Sequence, residues 1–316
     1  MVLWITGPCG RSSGLGCAVD SSMKSDNRQL VVFGVLVLLF LVPLSVAYAF
    51  SHDANLLTLL MVTPAISALI ACTVAGGDLR KLPFAPRFRG NLLWYAAAWL
   101  LPSLIAFVGA ALYFLLFPGD FDPLGSRIAR ASGADSIGAY IAALVPSVLA
   151  AIVVNPLGGL LPCLGEELAW RGYLLPLLGE RMSRVRAVLA SGFIWGIWHT
   201  PIVYLGYNYG ATYPVAGVVA MVLFCMVMGC ISGFLFCKTK SVWVPVVFHA
   251  AVNGIAMYTP SVLFMRDDAP ANPFVGPDLT GIIGGAGFML FAACCLFALR
   301  RMKTSIPAIP FNPPRP

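Results

Sequence analysis

The chain has 316 residues, of which 59% are hydrophobic and only 10% charged, and its mean hydropathy is +0.87. Soluble domains carry roughly 25% charged residues, so a water-soluble fold is excluded and a polytopic membrane protein follows. The net charge of +7 resembles a nucleic-acid footprint only until the basic residues are placed. With both termini cytoplasmic, sixteen of the twenty Lys and Arg residues fall on the cytoplasmic side, only Arg127, Arg130 and Arg266 lie opposite, and Arg171 sits in an apolar stretch. That is the positive-inside pattern of a multi-pass cell-membrane protein, and no nucleic-acid partner is expected.

In chain order, residues 1–29 lack the apolar core of a cleavable signal. They read as a disordered cytoplasmic segment, with Met23 as an alternative start. Apolar runs of about 17–25 residues can span a bilayer. They occupy 30–50, 54–76, 91–117, 137–161, 187–205, 215–237, 241–262 and 280–299, which predicts an all-α transmembrane helical bundle of about eight spans. The basic loop 78–89 reads as a solvated loop, with anionic lipid headgroups as its alternative contact. The outward loop 118–136, with Asp120, Asp122 and Asp135, reads as solvent-facing. A ninth, shorter helix near 163–178 is expected to be buried or re-entrant, with Gly158, Gly159 and Pro162 breaking the span before it. The nine cysteines form no CxxC pair and mostly lie in spans, as small packing residues do. The tail from Ile306 is proline-rich and expected to be extended.

Glu166 and Glu167 are the only acidic residues inside a long apolar stretch, and His199 and His249 also lie in apolar segments. An ionised group at bilayer depth costs roughly 2.5–3.5 kcal/mol, so such residues read as functional by default. Adjacent on a helix, the two glutamates diverge by about 100° and cannot share a task. Glu167 and Arg171, four apart, predict an ion pair, which leaves Glu166 free to face a cavity. His199 ends the pattern Phe193–His199, with Trp195 one turn before it and Pro201 to end or kink the helix shortly after. His249 and Asn253 share one helix face. Burying these groups apart from one another would be costly, so they are expected to converge.

Hydrolysis of a peptide bond needs a base to activate water and donors for the oxyanion. Glu166 with His199 can supply the base, and His249 with Asn253 the donors. The same atoms offer an alternative in which Glu166, His199 and His249 hold a zinc ion with an open position for water. The HExxH motif is absent.

The glutamate pair with Arg171, the helix ending in aromatic-xxx-His and the His-xxx-Asn motif together resemble the CPBP family. These are the CAAX-protease and bacteriocin-processing intramembrane proteases, also called the Abi family. The resemblance covers roughly residues 160–255. It implies Glu166 as the catalytic glutamate, His199 as its assistant, and His249 with Asn253 as oxyanion donors, or some of these as metal ligands. Glu167 and Arg171 would be the supporting pair. Trp195 stands where the family usually has Phe, a departure expected to change pocket shape rather than activity.

The domains are then residues 30–135, amino-terminal transmembrane helices; 136–262, a catalytic helical core; and 263–316, the last transmembrane helix and the tail. The expected function is an intramembrane endopeptidase acting on peptide or protein substrates at the membrane, with CAAX prenyl protease activity as one form. The alternatives are a non-catalytic scaffold or immunity protein of the same family, and a proton-coupled transporter. The absence of an inverted repeat counts against the transporter.

Overall fold

A computed structural model describes residues 13–269, 272–303 and 305–307, with side chains from Asn27 onward. Backbone N–H and C=O groups in hydrocarbon must pair within their own segment, so the apolar runs fold as helices: α1 (Ser13–Ser51), α2 (Ala54–Val74), α3 (Leu92–Leu116), the short α4 (Arg127–Ser132), α5 (Ile137–Leu149), α6 (Asn155–Glu167), α7 (Leu175–Gly179), α8 (Arg184–Trp198), α9 (Thr200–Tyr204), α10 (Pro214–Thr239), α11 (Trp243–Ala256), α12 (Pro260–Phe264) and α13 (Ala286–Arg301). Among the described residues only two isolated bridges, between the loops around Phe121 and Arg266, interrupt the all-α pattern. Among the described residues, six helical segments are long and apolar enough to cross a membrane. The shorter α8 and α13, of 15 and 16 residues, correspond to the other two expected spans.

Two expectations are corrected. The amino-terminal segment is helical from Ser13, because no proline interrupts the run before Pro43; residues 1–12 lie outside the described residues. The glutamate-bearing stretch is also not a separate helix. Residues Ile137–Gly179 form one apolar helical segment of 43 residues, about 65 Å at 1.5 Å per residue, in which α5, α6 and α7 are joined by π-helical stretches at Ala150–Val154 and Leu168–Leu174. Gly158, Gly159 and Pro162 are absorbed inside it. Proline has no N–H and clashes with the carbonyl four residues earlier. At Pro156 that carbonyl, of Ile152, accepts instead from Trp99 Nε1 of α3 at 2.7 Å. A neighbouring helix thus supplies the bond that Pro156 cannot, which is how membrane helices tolerate proline.

The packing order positions the site. α6 lies between α2 and α11, and α8 packs along α10. The α8–α10 crossing is close because glycine meets glycine: a Cβ on Gly229 would come within 2.8 Å of the Gly192 Cα, the small-residue contact typical of membrane helices. The outer faces carry exposed Val35, Leu39, Val42, Leu104 and Leu223, as lipid-facing surfaces should.

Candidate active site

Glu166 and Glu167 end α6 where the π stretch begins, a helical irregularity that recurs at functional positions. Both are buried, 1% and 0% exposed, and they turn apart as expected. Glu167 Oε1 accepts from Arg171 Nη1 and pairs with His249 Nδ1, each at 3.0 Å. Glu166 Oε2 accepts from the indole Nε1 of Trp195 at 2.5 Å.

Trp195 joins most of the remaining parts. The Arg171 guanidinium lies 4.3 Å from its ring centroid, and the His199 and His249 rings meet it edge-on at 5.8 and 5.3 Å. Its backbone carbonyl bonds His199 Nδ1 at 2.9 Å. A carbonyl can only accept, so Nδ1 carries the proton and the Nε2 lone pair of a neutral His199 is left free. Cys225 Sγ of α10 lies 3.6 Å from the same Nδ1. The helix stops directly after Trp198 and α9 restarts at Thr200 with Pro201 in its first turn, which is the break the sequence predicts. On α11, Asn253 Nδ2 donates to Cys163 Sγ at 3.6 Å, and its second amide proton remains available.

Glu166, Trp195, His199, His249 and Asn253 line one cavity of about 180 Å³. Seven helices, α1, α2, α6, α8, α9, α10 and α11, contribute to its wall, which is largely hydrocarbon from residues such as Leu57, Leu60, Phe224 and Met228. Sequence reasoning missed the polar residues on the same wall, Tyr207, Asn208, Thr259, Asp278 and Thr280. They sit in or beside loops, where no periodicity marks them. Ser261 donates to both Asp278 oxygens, from N at 2.8 Å and from Oγ at 2.6 Å. Burial pushes the Asp278 carboxyl pKa up, and the Ser261 bonds pull against that rise.

The family model described as Type II CAAX prenyl endopeptidase Rce1-like matches residues 142–255. This match supports the CPBP family resemblance read from the motifs. A curated relative named CAAX prenyl protease 2, from Methanococcus maripaludis, is 30% identical over 92 residues, 28% of this chain and 34% of the relative. The chain therefore matches about a third of the length of that relative. The matched segment runs from α5 to α11 and contains every site residue expected from the sequence.

The zinc alternative fits this geometry poorly. Among the described residues no three His, Cys, Asp or Glu side chains are grouped to hold a metal ion.

Proposed function

We propose that this chain is an intramembrane endopeptidase that hydrolyses a peptide bond of a membrane-associated substrate with water activated by Glu166. The observation that carries the reading is the convergence of Glu166, His199, His249 and Asn253, from two helices and one helix end, on a single cavity. Water held between Glu166 and the Nε2 lone pair of His199 gives its proton to the Glu166 carboxylate as its oxygen bonds the carbonyl carbon. The carbonyl oxygen gains the electron pair and becomes an oxyanion that accepts from the free amide proton of Asn253 and from the Nε2–H that His249 carries as an imidazolium, its Nδ1–H donating to Glu167. Collapse of that oxyanion breaks the C–N bond, and the proton on Glu166 passes to the leaving nitrogen. Glu167 holds His249 by Nδ1, which fixes the direction of the other ring nitrogen, and Arg171 balances the charge of Glu167.

The hydrocarbon wall suits a substrate that carries a lipid or a transmembrane segment. The names of the family and of the relative make a prenylated CAAX tail the first substrate to assay. The distribution of Lys and Arg supports a multi-pass arrangement in the cell membrane with both termini cytoplasmic.

The test compares wild type and Glu166→Ala, purified in detergent, on membrane-anchored peptides with and without a prenylated CAAX end. Glu166→Ala should lose cleavage while keeping the wild-type melting temperature; equal cleavage by the two proteins would remove Glu166 from the reaction. Wild-type cleavage should also survive a chelator. Loss that zinc restores would replace this chemistry with a metal-bound water.

A further inference from the structure

A second concave site lies away from the catalytic cavity, on the outer face where α3 meets α11 and α6. Phe88, Leu92, Tyr95, Trp99, Trp243 and Val247 line most of a groove of about 590 Å³, within the roughly 300–1,000 Å³ usual for small-molecule sites. Its three largest side chains spend their polar atoms elsewhere. Tyr95 Oη donates to the Pro86 carbonyl at 2.5 Å, Trp99 Nε1 to Ile152 at 2.7 Å and Trp243 Nε1 to Phe84 at 2.8 Å. What faces the groove is ring surface and alkyl carbon, which only hydrocarbon can satisfy.

The rim is the opposite. The loop before α3 is clamped to the turn between α10 and α11: Ser241 Oγ donates to the Ala85 carbonyl at 2.8 Å, Val242 N to Pro83 at 3.4 Å and Asn91 Nδ2 to Thr239 at 3.3 Å. This clamp gathers the segments bearing Arg87 and Arg89 with those bearing Lys238 and Lys240, all four exposed. Lys238 rests over the Trp94 ring at 5.8 Å. Arg87, Arg89 and Lys240 make no ion pair among the described residues.

We propose that this groove binds one anionic phospholipid, with an acyl chain along Tyr95, Trp99 and Trp243 and its phosphate among Arg87, Arg89 and Lys240. A zwitterionic lipid would fill the groove equally well but leave the basic cluster uncompensated. A peptide would bury backbone amides against a wall with no partner for them. A second copy docking by the same face would set one basic cluster against another, because a two-fold interface is self-complementary. Basic clusters beside helix ends are the recognised sequence mark of anionic-lipid contact.

The experiment uses the full chain, delipidated in detergent and titrated with phosphatidylglycerol or phosphatidylcholine of identical acyl composition, with retained lipid counted by native mass spectrometry. Wild type should retain phosphatidylglycerol at about tenfold lower concentration than phosphatidylcholine. The combined variant Arg87→Gln, Arg89→Gln, Lys240→Gln should bring that ratio close to one with phosphatidylcholine retention unchanged. Ala96→Trp, which fills the groove, should lower retention of both lipids. Equal affinities in wild type, a preference that persists in the combined variant, or protein dimers in place of lipid adducts would each overturn the proposal.

Discussion

The indole N–H of Trp195 donates to Glu166 at 2.5 Å, linking two buried side chains 29 residues apart. Phenylalanine at this position would keep the aromatic face over Arg171 but offer no proton. Tryptophan at position 195 therefore bears directly on the glutamate. A hydrogen bond to a charged group is worth about 1.5–3 kcal/mol, so Trp195→Phe should lower kcat by about ten- to a hundredfold. KM should change little, and the melting temperature should fall only slightly because the packing is conserved. An unaltered kcat would mean that the indole N–H does not position the base.

Glu167, rather than Glu166, carries the structural charge. Its Oε1 serves both Arg171 and His249 at 3.0 Å, and both Glu167 and Arg171 are essentially unexposed. Removing one member of such a pair leaves a buried charge uncompensated, at about 3–5 kcal/mol. Glu167→Ala and Arg171→Ala should each melt well below wild type and cleave poorly. The double substitution should melt above at least one of the singles, since no lone charge remains. Additive losses in that cycle would show that the two side chains act separately.

The sequence makes plain what is local or forced by insertion cost. Glu167 and Arg171 are four apart and do pair, His249 and Asn253 share a face, and groups too costly to bury singly do share a cavity. Contacts between distant segments leave no such trace. Nothing in the spacing of Trp195 announces a bond to Glu166, and nothing in Glu167 announces His249, which is 82 residues away. The reading of Gly158, Gly159 and Pro162 as a helix break failed for the same reason. Local propensity marks these residues as breakers, while the compensation visible at Pro156 comes from Trp99 on another helix.

Asp278 lies in the loop before α13 and lines the same cavity as Glu166. Burial raises its pKa above the unfolded value of about 3.9. A raised pKa means that the folded chain holds this proton more tightly than the unfolded one. The contribution to stability is then greatest below the unfolded pKa and is lost as pH rises through the folded one. Asp278→Asn cannot ionise. Its melting temperature relative to wild type should therefore improve as pH is raised from about 4 towards neutrality. A difference that stays constant across that range would mean that Asp278 does not titrate as its burial requires.

Gly165 sets how closely α6 can approach α2. A Cβ there would lie 2.7 Å from the Val62 Cα and against the Met61 carbonyl, backbone atoms that cannot rotate away. Gly165→Ala must separate the two helices, and the residue that moves with it is Glu166. Overpacking of this kind costs about 1–3 kcal/mol, so the variant should melt lower and lose more than tenfold in kcat, because the base shifts against Trp195 and His199. Gly158 is the control within the same helix: a Cβ there would meet nothing within 4 Å. Gly158→Ala should match wild type in cleavage and be slightly more stable, since alanine is favoured over glycine in a helix by about 0.5–1 kcal/mol. If the two variants behaved alike, loss of activity could not be attributed to displacement of Glu166, and the close α2–α6 contact would have no part in shaping the site.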